Sequence, residues 1–581
     1  MDILGLSYDI DAAACLLRGG VPVAAAAEER FTGVKHDRSY PARSSAFCLT
    51  QGSTRMEDLD WVALGWNPTI HLQPLLWRRS SRIRHHSEYL TAVPNLLIQD
   101  RADRPRGSVT EQIHHFEGTD RPLRVAYVDH HLSHAAWAYV SPFERCAVLT
   151  VDGFGERTTT AQALCEDRRL QTLRRVERPH SLGSLYAAVT QHLGFRPNCD
   201  EGIVMSLAAL GDPARFGDLS ELLRFRDDGS FELDLAYFAF FQEDTSRVSP
   251  RFVERFGPAR GWQDPLEDRH RDLAASLQVA FEAAYLRLAR NLHELTGCDD
   301  LVVAGGAALN CVANGRLVAE TPFERMFIPP AAGDDGAATG AALYLTHGHL
   351  GEPRTGHEFT SAALGPDCDE DEIRALLELG RRDATWVDDP SRAAAELLAA
   401  GLVIGWYQGR AEFGPRALGQ RSILADPRAA ATRDRINASI KFRQPYRPLA
   451  PSVLAERCGE LFDQAGPSPF MLRAYGARAD WIDRLQAAVH VDGSARVQTV
   501  DAATQPGYHA LIRHFADRTG VPAVVNTSLN VRGRPIANSA EDALACFDST
   551  DMDGLVMGSA VLVKGDRRCR DALAALAGSK P

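Results

Sequence analysis

Residues 270–320 constrain the fold most tightly. Leu273, Leu277, Phe281, Ala284, Leu288, Leu292 and Leu295 recur at three- and four-residue steps, the period of a helix with one buried face. Gly297 stands where such a helix stops. An apolar strand follows, Leu301-Val-Val-Ala304, then Gly305-Gly306 and a helix of small residues. Strand, glycine turn, helix is a common way to cradle a phosphate on backbone N–H groups. The chain opens on a related pattern, with strands at 3–7, 12–17 and 21–27 and a hairpin turn at Gly19-Gly20. Strands are also expected at 123–128 and 147–151, with a helix-like stretch at 134–139 between them. A Gly/Ala-rich helix is expected at 336–346. Residues 68–120, rich in Arg, His and Pro, read as helical pieces and a surface excursion.

The chain has 581 residues, and a single core rarely outgrows about 250–300. At least two domains are therefore expected. The stretch 347–368 reads as the linker, because the pattern restarts beyond it with helices at 370–379 and 391–400 and a strand at 402–407. A formal net charge of -12 argues against a protein that coats nucleic acid. The 11 cysteines include no CxxC pair, which fits a reduced cytoplasmic protein. No basic leader precedes the first strand, and no apolar run approaches the roughly 18–20 residues needed to span a bilayer.

Three constellations carry chemistry. In Asp129-His-His-Leu-Ser-His134, His130 and His134 lie four apart and share one face of a helix. Two imidazoles at that spacing can chelate a divalent ion once carboxylates complete the set. Asp152, ending a strand, is one candidate, and Asp334, in a glycine turn, is another. Such a His/Asp set suits Fe(II), Mn or Zn. The second is the run Gln408-Gly-Arg410-Ala-Glu-Phe-Gly-Pro-Arg416-Ala-Leu-Gly-Gln-Arg421-Ser422. Its glycines let backbone approach a ligand and its arginines clamp oxyanions. The third gathers Lys441-Phe-Arg443, Arg447, Arg496 and Asn526-Thr-Ser528, each beside a Gly, Pro or Asn turn. Together these loops read as walls of one polyphosphate pocket. No Walker-type GxxxxGK[ST] loop, GxSxG elbow or HExxH is present.

These residues resemble a known family, the carbamoyltransferases of the NodU/CmcH/TobZ type. The resemblance runs nearly end to end. It rests on Glu28-Glu-Arg-Phe-Thr, Lys35-His-Asp, Asp129-His-His-Leu-Ser-His-Ala-Ala and Val151-Asp-Gly. It continues through Asp272-Leu-Ala-Ala-Ser-Leu-Gln, Ala304-Gly-Gly-Ala-Ala-Leu-Asn, Pro330-Ala-Ala-Gly-Asp, the 408–422 run, Ala495-Arg-Val-Gln-Thr and Asn526-Thr-Ser. It implies an α/β protein of two parts. Residues 1–355 would be an actin/Hsp70-like duplicated, metal-binding transfer domain, similar to threonylcarbamoyl transferases. Residues 356–581 would be a YrdC-like twisted open sheet that uses ATP and carbamoyl phosphate. The resemblance implies His130, His134, Asp152 and Asp334 as metal ligands, with Fe(II) the first choice. It implies Arg416, Lys441, Arg496 and Ser528 as holders of the phosphates and carbamoyl group, with Mg-ATP as co-substrate. Gly305, Gly306 and Asn310 match a nucleotide-side loop of the first domain. The expected product is a carbamate ester of a small natural product's hydroxyl group, as in antibiotic biosynthesis. A homodimer is the expected assembly, with no nucleic-acid or membrane partner.

The sequence departs from the family at three places. The His expected after the first strand is Ile10, which can neither accept a proton nor donate one. Asp11 is retained and is the expected base. Ile203 and Ser206 stand where Lys and Gly are usual, and Arg534 where Glu is usual. Two other readings stay open. One is a nucleotide-binding relative with lost or altered transfer, and the other is a tRNA-modifying threonylcarbamoyl transferase. A hydrogenase-maturation carbamoyltransferase would need zinc-finger cysteine pairs, which are not present.

Overall fold

The opening hairpin forms as read. In the computed structural model, which describes residues 1–8, 11–67, 108–115, 121–216, 219–239 and 246–565, strands Asp2–Ser7, Ala13–Arg18 and Val21–Ala27 run antiparallel. Asp2–Ser7 then pairs in parallel with Trp61–Leu64, and that strand with Leu123–Val128. A second sheet repeats the plan. Arg145–Val151, Thr158–Glu166 and Arg169–Glu177 are antiparallel, while Arg145–Val151 pairs in parallel with Asp300–Ala304 and that strand with Arg325–Phe327. The same five-strand order occurring twice is the duplicated actin/Hsp70-like arrangement.

The strand Val109–His114 was not expected. It pairs antiparallel with the edge strand Leu123–Val128, and its polar residues are half-exposed. An edge strand without an apolar face leaves little period-two signal. The rest of the 68–120 excursion, and Ile10, lie outside the described residues.

Small residues let the two halves close. Alanine and glycine dominate the helix Ala337–Leu343 because it is wedged between backbones. A side chain at Gly340 would stand 1.7 Å from Ser133 O, and one at Gly5 would stand 2.0 Å from Ala338 O. The helix Asp268–Thr296 covers the second sheet and ends at Gly297, whose φ of 55° is left-handed. Its apolar stripe is buried from Leu273 to Leu292, but Leu295 in the last turn is exposed.

The C-terminal lobe is a nine-stranded, mixed, open sheet. From edge to edge its strands are Thr385–Trp386, Ala560–Val563, Gly554–Met557, Ile404–Tyr407, Arg421–Ala425, Ala523–Ser528, Ala450–Leu454, Ser494–Val500 and Arg473–Gly476. Successive residues face opposite cores, as the pleat requires. Trp406, Leu424 and Val524 pack with helices Pro390–Ala399 and Pro506–Thr519. Tyr407, Ile423 and Val525 pack with Glu370–Leu379 and Ala540–Asp548.

The stretch expected to link the lobes lies across the first one. Phe359 N donates to Val140 O at 2.8 Å and Ala25 N to Leu364 O at 3.1 Å, and Phe359, Ala362 and Leu364 are buried in the first lobe's core. Among the described residues, no helix is long and apolar enough to cross a membrane.

Candidate functional sites

The helix carrying the two histidines begins at His130, earlier than the 134–139 reading, and runs to Ala135 before tightening into a 3₁₀ turn. Its start is set by Asp129, whose carboxylate accepts Leu132 N at 3.0 Å. Asp129 directly follows the strand Leu123–Val128 of the first sheet, and Asp152 directly follows Arg145–Val151 of the second. The loop bearing Asp334 precedes the wedged helix. The duplicated fold thus delivers four side chains to the seam between its halves.

Their ligand atoms all lie within 4.8 Å of one another. His130 Nε2 is 3.0 Å from His134 Nε2 and 3.0 Å from Asp152 Oδ2. His134 Nε2 is 3.4 Å from Asp152 Oδ2, and both Nε2 atoms are 3.6 Å from Asp334 Oδ1. His130 Nδ1 sits 3.0 Å from Gly65 O, which leaves Nε2 facing the cluster. Two buried imidazole nitrogens at this separation need a proton or a cation between them, so the donor set fits a divalent ion. Burial opposes ionisation of Asp152, but its hydrogen bonds to His130 and His134 outweigh that and hold it well below the usual carboxylate range. Gly306 N donates to Asp152 Oδ1 at 3.0 Å. Gly305 (φ 95°) would place a side chain 2.3 Å from Val151 O. Both glycines therefore serve the metal-type cluster. Asn310 caps the next helix and exchanges hydrogen bonds with Gln278.

A second site is a cavity of about 410 Å³ between the lobes. Arg416, Arg443, Arg447, Arg496, Asn526 and Ser528 line one side. None of the four guanidinium groups has a carboxylate within 4.0 Å among the described residues. Arg416 Nε and Arg496 Nε are buried without a partner. Burial and the charge of Arg496 push Arg416 down to about 9. Lys441 stands behind this wall. Its ammonium donates to Ser528 O at 2.7 Å, Ser528 Oγ at 3.1 Å and Asn530 O at 2.8 Å. Burial, then the charge of Arg443, push it well below the usual lysine range.

The density of arginine in the 408–422 run has two causes, not one. Only Arg416 reaches the cavity. Arg410 donates to Gly365 O at 3.1 Å and Val23 O at 3.1 Å, pinning the interlobe segment. Arg421 donates to Gln408 O and Gly409 O, each at 2.9 Å. A folded loop turns carbonyls inward, and a fork of N–H groups satisfies several at once. Arg30 from the first lobe does the same for Gly414 O at 2.9 Å.

The sequence reading gave no part to the cavity's other wall. Lys35, Ser206, Gln278 and Glu282 from the first lobe complete it. Lys35 and Gln278 stood in quoted motifs, but nothing local shows that they face a second domain. Ile203 is buried in the helix Glu201–Ala208. Asp11 Oδ1 lies 2.8 Å from His36 Nδ1.

The duplicated fold thus holds a buried His/Asp cluster at its seam and a cavity lined by four guanidinium groups beside it. Carbamoyltransferase N-terminus and Carbamoyltransferase C-terminus match residues 2–343 and 395–564, and the chain belongs to the carbamoyltransferase family. It is a transferase. It is 39% identical to an uncharacterized protein of Synechocystis over 97% of this chain and 96% of that one. It is 38% identical to nodulation protein NolNO of Sinorhizobium fredii over 95% and 79% of the two chains. It is 32% identical to 3'-hydroxymethylcephem-O-carbamoyltransferase of Amycolatopsis lactamdurans over 62% and 64%.

Proposed function

We propose that the chain is an ATP-dependent O-carbamoyltransferase acting on a hydroxyl group of a small molecule. The observation that carries the anion chemistry is the set of four guanidinium groups facing one cavity without carboxylate partners. The carbamoyl group follows from the family. In this reading residues 356–581 activate and residues 1–355 transfer. Water hydrolyses carbamoyl phosphate to carbamate and phosphate. A carbamate oxygen then attacks the α-phosphorus of ATP, and pyrophosphate leaves. Arg416, Arg443, Arg447 and Arg496 neutralise the phosphates, and Lys441, Asn526 and Ser528 fix the wall behind them. Adenylation gives a poor electrophile a good leaving group, and a closed cationic site keeps water from it.

In the transfer step the acceptor hydroxyl needs a proton acceptor. Asp11, hydrogen-bonded to His36, is assigned that role. Gly305 and Gly306 hold the Asp152 loop. A divalent ion on His130, His134, Asp152 and Asp334, Fe(II) by preference and Mn or Zn otherwise, would polarise the transferring oxygen. The test is mass spectrometry of products after incubation with ATP, carbamoyl phosphate and hydroxyl-bearing metabolites, with pyrophosphate release followed in parallel. A carbamate ester formed only with ATP supports the reading, and pyrophosphate release independent of carbamoyl phosphate would refute it.

A further inference from the structure

The middle of the C-terminal sheet carries a polar patch. Asn526 lies in a central strand, opposite Leu424 on one side and Ala450 on the other. Ser452 is opposite Val524, two residues before Asn526, and Gln498 is opposite Ser452. Leu424 and Val524 belong to the apolar core on this face. Asn526, Ser452 and Gln498 share the face, and each is at most 1% exposed. Polar groups are tolerated at such depth where they are hydrogen-bonded.

Two backbone carbonyls decide how the patch is wired. Gln498 Nε2 donates to Leu418 O at 2.7 Å. Its Oε1 accepts from Ser452 Oγ at 2.6 Å and from Asn526 Nδ2 at 3.0 Å. Asn526 Nδ2 also donates to Ala417 O at 3.1 Å and lies 3.0 Å from Ser452 Oγ. A carbonyl only accepts, so turning either amide over would set oxygen against oxygen. Every polar atom of the three side chains is thereby fastened except Asn526 Oδ1. That oxygen is buried and has no partner among the described residues, and Asn526 lines the cavity.

The wall around it is rich in donors. Ala417, which takes the Asn526 amide, follows Arg416 in the chain. Ser528, two residues on, lies on the same face of the strand, and its Oγ is 3.1 Å from the Lys441 ammonium. Guanidinium and ammonium groups have no acceptor. They meet phosphate and carbonyl oxygens but cannot pair with an N–H2 group.

We propose that Asn526 Oδ1 accepts a hydrogen bond from the carbamoyl N–H2 group, and that Gln498 is the positioning residue that keeps this oxygen free for it. The cavity thereby selects carbamoyl phosphate over an acyl phosphate that carries a methyl group in place of the nitrogen. With acetyl phosphate, Oδ1 stays buried without a donor. This rests on the carbamoyl reading above, and the test separates the two.

Binding of fresh carbamoyl phosphate, acetyl phosphate and pyrophosphate to the full chain is measured by calorimetry in the cold. Leaving a buried hydrogen-bond acceptor unpaired costs roughly ten- to hundredfold in affinity. Carbamoyl phosphate should therefore bind at least about tenfold tighter than acetyl phosphate. In Asn526→Leu, which keeps the shape and removes the amide, that preference should vanish. Gln498→Met should reduce it by at least about threefold, with no further effect in the Asn526→Leu background. Loss of packing alone would not give that pattern. Pyrophosphate has no N–H, so its binding in each variant shows that the guanidinium wall is still formed. Equal affinity of the wild type for the two acyl phosphates overturns the proposal and leaves carbamoyl activation standing. Pyrophosphate bound with neither acyl phosphate overturns both. An Asn526→Leu protein that binds pyrophosphate and keeps the wild-type preference overturns the role of Asn526. If that variant does not fold, the wild-type preference and Gln498→Met decide, and an unchanged preference in Gln498→Met overturns the positioning role.

Discussion

Arg416→Met should stabilise the protein without ligand and abolish its stabilisation by pyrophosphate. A guanidinium displaced from 12.5 to about 9 costs the fold about 5 kcal/mol if the site were dry, at about 1.36 kcal/mol per pKa unit. The side chain faces a cavity open to water, and apolar replacement of buried charge typically gains about 1–4 kcal/mol. A gain of about 1–3 kcal/mol is therefore expected. The sign is fixed by the direction of the shift. A base with a depressed native pKa penalises the fold wherever it is protonated there, so the full penalty applies below about pH 9 and fades as pH rises toward 12.5. With pyrophosphate at one hundred times its dissociation constant, the wild type should gain about 2.7 kcal/mol. Loss of charge-assisted hydrogen bonds worth about 2–3 kcal/mol should leave the variant with less than about 1 kcal/mol. Urea titration followed by circular dichroism, with and without pyrophosphate at pH 7.5 and at higher pH, reads both effects. A variant less stable than wild type without ligand, yet equally stabilised by pyrophosphate, refutes the view that these arginines are held unpaired for an anion.

Gly306→Ala brings a methyl group to 2.8 Å from Asp152 Oδ1. It should weaken metal binding about 10–100-fold, read by metal content after dialysis, with helix content unchanged by circular dichroism. Asp11→Asn should abolish carbamoyl transfer while leaving pyrophosphate release intact, and unchanged transfer would remove Asp11 from the reaction. Arg410→Ala leaves the carbonyls of Val23, Leu364 and Gly365 short of a donor. It should cost about 1–3 kcal/mol in urea titration without altering pyrophosphate affinity.

What local pattern encodes was readable from the chain alone. The helical stripe from Leu273 to Leu292, the strand and glycine pair at 301–306, and the opening hairpin all express backbone periods of 3.6 and 2 that need no distant partner. The His130/His134 pair was readable for the same reason, since four residues make one helical turn. Two things were not. The strand Val109–His114 has no apolar alternation because it lies at a sheet edge, so its pairing with Leu123–Val128 depends on the sheet already being there. The roles of the arginines were likewise hidden. Arg410, Arg416 and Arg421 look alike in a glycine-rich run, yet one reaches an anion cavity and two satisfy carbonyls. Most of their partners lie 12 to 387 residues away or in the cavity. The sequence by itself determined the elements, the family and the chemical inventory. Only tertiary structure decided which side chains meet, because the seam between the duplicated halves, the wall shared by the two lobes and the contact of His36 with Asp11 join residues that the chain keeps apart.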